Sequence, residues 1–255
     1  MNWQERLITI YLYVSKHYQL CLCGSAFTRL ISQITQLCDV CAALESGGRC
    51  VCALIGTDSA RTRGQEFRQV WLIDSFPVAL AKPGRRFEAC VAKALADSGY
   101  CSTKKLYYYG VRVHVIGRRQ SGSLPIPGYI GVTGASAHEG KIFDQIRPYL
   151  HNNELYGDKA YQRPDAEAVR QAQNLAVLIP VKKQQRQRYL EPLDQWLSTA
   201  VSRVRQPIEA LFAWIEAKTG IECASKVRSY NGLMVHVFGK LAAALFFWNF
   251  LQISS

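Results

Sequence analysis

The chain of 255 residues is 49% hydrophobic and carries 31 Lys and Arg against 19 Asp and Glu, which leaves a net charge of +12. This hydrophobic content is typical of an ordered globular protein with an ample core, and it argues against an intrinsically disordered chain. The basic excess suits a polyanionic partner such as DNA, because cations that neutralise phosphates release counterions, although many basic proteins bind no nucleic acid.

The N-terminal part predicts a small helical segment followed by a linker. Apolar residues recur at helical spacing within residues 4–20 and 26–45. Residues 46–69 are polar and rich in Gly and Arg, which indicates a linker. The first apolar stretch follows Glu5 and Arg6 and is too short and too mixed for a secretory signal, so we expect a cytoplasmic protein.

The N-terminal cysteines leave two interpretations open. Cys38 and Cys41 have the spacing of a zinc knuckle, but the flanking pairs have C-x-C spacing and no histidine completes a zinc-binding pattern. The favoured alternative is a set of reduced cytosolic thiols, several of them buried. The six cysteines of this cluster are Cys21, Cys23, Cys38, Cys41, Cys50 and Cys52.

The middle of the chain predicts three strands. The first is QVWLIDSFPVAL at residues 69–80, and the second is LYYYGVRVHVIG at residues 106–117. The third, GYIGVTGAS at residues 128–136, follows the turn-rich stretch SGSLPIPG, so the second and third strands form a hairpin. We expect the tyrosine triplet that begins at Tyr107 to pack within its strand.

Helices and strands then alternate towards the C-terminus. Residues 138–150 have helical spacing, ELYGDKAY at residues 154–161 is a short strand, and Pro164 opens a second helix that runs to about Asn174. LAVLIPV at residues 175–181 is a fifth strand, and long helices follow. The last apolar run is too short for a bilayer crossing, which favours a buried helix and no membrane contact. The pattern predicts an α/β fold with a mixed five-stranded sheet flanked by helices.

Three acidic residues stand at distinct structural positions. Asp74 and Asp158 end or interrupt apolar runs that predict buried strands, and Glu209 lies where the spacing is helical. A carboxylate at the end of a buried strand is unfavourable unless it is paired or binds a cation. If the three converge in space, they supply what a two-metal phosphodiester site needs. Each acid alone is more simply a surface or capping carboxylate: Asp158 in a Gly-Asp turn, and Asp74 as the cap of an element after Pro77.

Three segments carry a resemblance to a known family. DSFP at Asp74, YGDKAY at Asp158 and the Arg205-x-x-x-Glu209 pair resemble, in this order, the signature segments of the DDE transposases of bacterial insertion sequences. The resemblance covers roughly residues 66–249. It implies a ribonuclease-H-like catalytic domain at residues 66–255, and it implies that residues 1–65 are a shortened DNA-binding region.

The resemblance also implies an activity and its residues. Asp74, Asp158 and Glu209 are implied to be the catalytic residues and the ligands of Mg²⁺ or Mn²⁺, with two ions bound. The implied reaction is hydrolysis at transposon ends followed by attack of the freed 3′-hydroxyl on target DNA. Synapsis of two ends implies a homo-oligomer. The chain departs from the family's Tyr-Arg-Glu-Lys signature, because Ser202 stands at the tyrosine position and Glu216 at the lysine position.

Basic residues are the candidate contacts to double-stranded DNA. The resemblance implies that Arg205 contacts a phosphate near the metal site, whereas the simpler interpretation is a surface ion pair with Glu209 that contributes only tenths of a kcal/mol. Arg118 and Arg119 lie at the predicted hairpin tip. Loops at strand ends suit DNA binding, although ordinary solvated charge is the alternative. The residues expected to bind DNA in these loops are Lys82, Arg85, Arg86, Lys182, Lys183, Arg186 and Arg188.

Two other functions compete with an active transposase. The shortened N-terminal region and the altered signature positions favour a catalytically silent DNA-binding remnant of an insertion sequence. A ribonuclease-H-fold nuclease without strand transfer shares the same acidic trio. The acidic trio favours catalysis over the remnant, and only the resemblance favours a transposase over a nuclease.

Overall fold

The computed structural model describes residues 50–54, 69–183 and 187–253. The predicted N-terminal helices, most of the predicted linker and Arg186 lie outside the described residues. The same holds for the cysteine cluster, apart from the backbone of Cys50 and Cys52.

Seven strands and four α-helices make up the described part of the chain, and three single turns of 3₁₀ helix join them. The strands are β1 (Cys50–Leu54), β2 (Gln69–Ala81), β3 (Asp97–Cys101), β4 (Leu106–Gln120), β5 (Ser123–Gly134), β6 (Asn153–Tyr156) and β7 (Ala176–Leu178). The helices are α1 (Gly140–Ile146), α2 (Ala166–Gln173), α3 (Pro192–Thr219) and α4 (Tyr230–Ile253). The 3₁₀ turns are Pro83–Arg85, Arg147–Tyr149 and Lys159–Tyr161.

All seven strands belong to one mixed sheet. Its order is β1-β5-β4-β2-β6-β7, and β3 pairs with the start of β4. Neighbours from β1 to β2 are antiparallel, whereas β2, β6 and β7 run parallel. The predicted α/β class, compatible with a ribonuclease-H-like domain, is confirmed. The strand count of five was too low, because β1 lies in the predicted linker and β3 was not predicted.

The hairpin between β4 and β5 is longer than predicted. β5 begins at Ser123, so most of the stretch that predicted a turn is strand. Its pairing with β4 shifts register twice, between Ile116 and Gly117 and between Arg118 and Gln120. Such irregularities tolerate proline, which has no N–H to give to a ladder, and this explains how Pro125 and Pro127 fit in a strand.

The sheet separates two hydrophobic cores. On one face, Phe76 and Val78 of β2 pack with Leu211 of α3 and with the buried side of α4. On the other face, Ile73 packs with Ile142 of α1 and with other buried side chains. The predicted buried C-terminal helix is therefore confirmed as α4. Among the described residues, no helix is long and apolar enough to cross a membrane.

Candidate active site

Parallel pairing of β2 with β6 brings the first two acids side by side. The pairing matches Leu72 with Tyr156, which is the last residue of β6. Continued by two residues in the same register, it places Asp74 beside Asp158. Gly157 directly follows β6, and a Cβ atom there would be 2.8 Å from Cγ2 of Ile73. Only glycine fits this close approach without displacing its neighbours.

Asp158 begins the 3₁₀ turn that follows β6. Its Oδ1 accepts a hydrogen bond of 2.7 Å from the backbone N–H of Lys159. The Asp158 side chain is exposed, so the carboxylate is open to solvent. Asp158 therefore stabilises the turn as expected, and this hydrogen bond occupies one oxygen of an accessible carboxylate.

Asp74 caps no following element, because β2 continues beyond it to Ala81. Its Oδ1 accepts a hydrogen bond of 2.8 Å from the backbone N–H of Ser75. Only 18% of the Asp74 side chain is exposed. The alternative interpretation of Asp74 as a structural cap was wrong for this strand.

Helix α3 brings Arg205 onto Asp74, and Glu209 lies one turn further along the same helix. Arg205 donates from Nη1 to Oδ2 of Asp74 at 2.6 Å and from Nη2 to Oε1 of Glu209 at 2.7 Å. Arg205 is 17% exposed and Glu209 is 56% exposed. The guanidinium thus bridges a partly buried and an open carboxylate, so Arg205 and Glu209 form more than a local surface pair.

The environment of Asp74 opposes its negative charge. Burial raises the pKa of Asp74 from 3.8 to about 6, although Arg205 and the Ser75 N–H act in the opposite direction. The charges of Glu139 and Asp158 raise this pKa further. A cation added at this point would stabilise the ionised form of Asp74, because one guanidinium does not offset the burial and the neighbouring acids.

Sequence comparison now decides the family. The sequence model of the transposase DDE domain matches residues 65–246, which is well over half of the chain. The chain belongs to the transposase DDE domain family. No curated protein and no solved structure matches it. The family confirms the resemblance seen in the three signature segments, and it places the chain among proteins of transposition and DNA recombination.

Members of the DDE family use divalent metal ions, and the donor set of this domain fits such ions. Carboxylate oxygens are hard ligands that suit Mg²⁺ and Mn²⁺. The raised pKa of Asp74 comes chiefly from burial, which the Arg205 guanidinium only partly offsets. Within the described residues, no group of three His, Cys, Asp or Glu side chains is placed to hold a metal ion. Between Asp74 and Glu209 stands the Arg205 guanidinium instead.

The basic residues predicted to bind DNA lie at different distances from the acids. Lys182 shares a surface depression with His138, Lys159 and Arg163, close to the turn that contains Asp158. Lys183 donates to the carbonyl oxygen of Arg188, whose guanidinium lies 5.7 Å from the ring centre of Tyr189. Lys182, Lys183 and Arg188 lie in the loop between β7 and α3, and Lys182 connects this loop to the depression beside the Asp158 turn.

A second basic group lies at the far end of β2. Lys82 follows Asp74 by eight residues, which corresponds to ~26 Å along an extended strand. Arg86 lies 4.3 Å from the ring centres of both Phe87 and Tyr107. Tyr107 is 52% exposed, whereas Tyr108 and Tyr109 are buried. The prediction that the triplet packs within its strand therefore holds for two of its three residues.

Arg118 and Arg119 lie towards the opposite end of β2. Arg118 pairs with Trp71 near the start of that strand, and both arginines line a depression with Gln69. The three basic groups of the DDE domain are therefore spread along the length of β2, with the acids between them.

Sequence reasoning missed one acid at the site, Glu139. Its Oε1 accepts hydrogen bonds from Ser75 Oγ at 3.0 Å and from Arg112 Nη1 at 2.7 Å. The adjacent His138, at the start of the helix predicted for residues 138–150, accepts a bond from the N–H of Gly140. An acid at a helix start has a sufficient local explanation in the helix dipole, so nothing in the sequence indicated the long-range contacts of Glu139.

Proposed function

We propose that the chain is a transposase of an insertion sequence that binds transposon ends and catalyses phosphodiester hydrolysis and strand transfer. The family match supports transposase function in general. The observation that carries the finer proposal is the convergence of Asp74, Arg205 and Glu209, with Asp158 in register beside Asp74. A partly buried carboxylate with a raised pKa beside two open ones is a suitable setting for cation-dependent phosphate chemistry.

In this proposal Asp74, Asp158 and Glu209 hold two divalent ions, Mg²⁺ or Mn²⁺. Two such ions supply activation of a water or a 3′-hydroxyl and stabilisation of the leaving oxygen. Asp74 would hold the ions in place from the sheet, because its backbone belongs to β2. Asp158 and Glu209 contribute from a turn and from a helix, and both are open to an incoming phosphate.

In this proposal Arg205 changes partners during the reaction, from carboxylates to a phosphate. Its guanidinium bridges Asp74 and Glu209 in this structure. Divalent ions at these carboxylates would satisfy their charge, and the guanidinium would then be released to bind a phosphate with its planar pair of donors. We infer that Arg205 holds the acids together before substrate arrives and orients the phosphate afterwards.

The partner in this proposal is double-stranded DNA at the transposon ends and in the target. The DNA contacts come from the loop after β2 and the loop between β7 and α3. Two DNA ends joined in one complex require a homo-oligomer. The proposed location is the cytoplasm. The residues proposed to contact phosphate are Arg205, Lys82, Arg85, Arg86, Lys182, Lys183, Arg186 and Arg188.

The competing proposal is a catalytically silent DNA-binding remnant, and two contacts favour it. Ser202 donates to the carbonyl oxygen of Ser198 within α3. Glu216 accepts a bond from the N–H of Glu222 at the end of α3. Both residues at altered signature positions therefore serve the helix itself, and neither offers the DNA contact that the family signature implies. A nuclease without strand transfer is the other alternative.

The test is Mg²⁺-dependent nicking of DNA that carries the transposon ends. We expect Asp158→Asn to abolish nicking, because the shape is kept and an anionic ligand is lost, while DNA binding in EDTA stays equal or rises. Asp165→Asn is the matched control, since Asp165 is a half-exposed acid that pairs with Arg147 on another part of the surface. Equal nicking by wild type and Asp158→Asn would refute the proposed site.

Two further comparisons separate the alternatives. Arg205→Ala is expected to weaken binding in a gel-shift titration, because it removes a proposed phosphate contact. Binding without nicking by the wild type would favour the remnant. Nicking without joining to target DNA would favour the nuclease.

A further inference from the structure

Glu139 joins three separate elements through one carboxylate oxygen. Oε1 accepts from Ser75 Oγ of β2 and from Arg112 Nη1 of β4, while Glu139 itself immediately precedes α1. The side chains of Glu139 and Arg112 are each 18% exposed. Arg112 also donates from Nη2 to the carbonyl oxygen of Tyr100 at 3.2 Å. The ion pair is therefore fixed on several sides and mostly removed from solvent.

The contact with Ser75 connects Glu139 to the first aspartate of the DDE site. Ser75 follows Asp74 directly, and its N–H donates to Asp74 Oδ1 at 2.8 Å. Successive side chains of a strand point to opposite faces, so Glu139 holds Ser75 from the face behind Asp74. A carboxylate held through its neighbour's backbone keeps its orientation even when its other contacts change.

A second connection leads to Asp158. Tyr161 ends the 3₁₀ turn that Asp158 begins, and its N–H donates to the Asp158 carbonyl oxygen at 3.0 Å. Tyr161 is fully buried on the face of the sheet where Glu139 lies. Burial raises its pKa, and the charges of Glu139 and Asp74 raise it further. Glu139 thus acts electrostatically on the turn of the second aspartate as well as on the strand of the first.

We propose that Glu139 is a positioning residue of the DDE site, which orients Asp74 through Ser75 and strengthens the hold of the acidic trio on divalent cations by its negative charge. The inference rests on the proposed function, because that function supplies the cations. Arg112 balances part of the charge of Glu139 at the edge of the core. Glu139 itself is not a catalytic residue, since its Oε1 already accepts hydrogen bonds from Ser75 and Arg112.

The experiment measures Mn²⁺ binding to the full chain by electron paramagnetic resonance of the free ion. The Mn²⁺ binding that Asp74→Asn loses measures how much of the total belongs to the proposed site of Asp74, Asp158 and Glu209. Glu139→Gln keeps an oxygen that can accept from Ser75 and removes the charge. We expect its dissociation constant for Mn²⁺ to rise by about 10-fold or more, which is the usual effect of losing an outer partner of a metal ligand.

Two variants separate orientation from charge. Ser75→Ala removes the hydroxyl that bonds to Glu139 and leaves the charge of Glu139 in place. We therefore expect a loss of Mn²⁺ affinity smaller than that of Glu139→Gln. Asp97→Asn is the matched control, because Asp97 accepts from Ser136 N and Oγ and anchors the same connection between β5 and α1. We expect Asp97→Asn to bind Mn²⁺ like the wild type.

A readout of the reaction distinguishes positioning from simple folding. In DNA nicking, Glu139→Gln should raise the Mg²⁺ concentration at half-maximal rate and leave the maximal rate within a few-fold of wild type. Wild-type Mn²⁺ affinity in Glu139→Gln, or an equal loss in Asp97→Asn, would overturn the positioning role while the proposed function stands. If Asp74→Asn binds Mn²⁺ as the wild type does, the proposed metal site fails and the role of Glu139 falls with it.

Discussion

Arg205 lies where a metal-dependent enzyme of this kind is expected to place cations. Its two terminal nitrogens contact carboxylates of Asp74 and Glu209, and its buried Nε has no hydrogen-bond partner among the described residues. In the proposed function, Arg205 is a provisional counter-ion that keeps these two acids close in the absence of metal.

The raised pKa of Asp74 makes the metal-free protein sensitive to pH. The folded pKa of about 6 exceeds the ordinary 3.8, so the folded state binds the proton more tightly than the unfolded state does. The stability from protonated Asp74 is therefore fully present below about pH 4 and is lost as pH rises through about 6.

We predict that Asp74→Asn in EDTA is more stable than wild type at pH 8, by on the order of 2 kcal/mol, because it removes a buried charge. The difference should shrink as pH falls and vanish below about pH 3, where Asp74 is protonated in both states. Thermal unfolding at both pH values is the measurement. Added Mg²⁺ should stabilise wild type at pH 8 and have little effect on the variant. A variant that is less stable than wild type at pH 8 would contradict the raised pKa.

At the scale of elements, the acids meet because of strand pairing. β2 and β6 are parallel neighbours, and each acid lies two residues beyond the last matched pair. Gly157 allows the side chains of Ile73 and Tyr161 to pack closely against the chain just before Asp158. The position of the second aspartate therefore depends on the packing of Gly157 as well as on its own hydrogen bond.

We predict that Gly157→Ala destabilises the fold by about 1–3 kcal/mol, the usual range for an added methyl group in a packed core. The new Cβ would lie 2.8 Å from Ile73 Cγ2 and 3.1 Å from Tyr161 Cδ2. Because Asp158 is the next residue, Mg²⁺-dependent nicking should fall as well. Gly84→Ala is the control, since no atom of the described part of the chain lies within 4 Å of its added Cβ. Equal unfolding temperatures for the two variants would show that the turn has more space than its backbone indicates.

The elements that were predicted from sequence are those with strong local patterns. β2 and β4 have long apolar runs rich in β-branched residues, which is why their positions followed from the residues alone. β1 is a short segment in polar surroundings, and β3 is the sequence DSGYC, in which a glycine and polar residues obscure the alternation. Both strands form because β5 and β4 offer them open edges, and sequence spacing does not show such edges.

The site shows the same division between local and tertiary signals. Asp74, Asp158 and Glu209 were found because each interrupts or flanks an apolar pattern. The bridge from Arg205 to Asp74 spans 131 residues, and the bond from Ser75 to Glu139 spans 64. Contacts across such separations depend on how the layers stack, so the roles of Arg205 as a bridge and of Glu139 as an anchor required the structure.

At the scale of the whole molecule, positive charge is distributed around a small acidic centre. The net charge is +12, and basic groups lie at both ends of β2 and near the turn of Asp158. A polyanion that spans these groups would cross the acids, because they lie between them. The aromatic rings on either side of Arg86 hold its guanidinium in a fixed place at the molecular surface. Because the two cores cover both faces of β2, a bound polyanion would contact the ends of this strand, on either side of the acids.

We predict that DNA binding weakens steeply with salt, because each neutralised phosphate contributes about −0.9 to the slope of log K against log salt concentration. About six contacts would reduce affinity by ~10³-fold between about 50 and 200 mM salt. If the far end of β2 binds phosphate, the triple variant Lys82→Ala, Arg85→Ala, Arg86→Ala loses three phosphate contacts. The magnitude of the slope should then fall by about three. Gel-shift titrations in EDTA at several salt concentrations measure both slopes.

The control for this experiment removes charge elsewhere. Arg170→Gln lies on α2, where Arg170 is exposed and pairs with Glu167, so its slope should equal that of wild type. A flat response of the wild type to salt would rule out a phosphate-dominated interface. A steep wild-type slope that the triple variant leaves unchanged would restrict the DNA contact to Arg205 and the loop between β7 and α3. The duplex would then approach the acids from the Asp158 side, and the aromatic groups around Arg86 would face away from it.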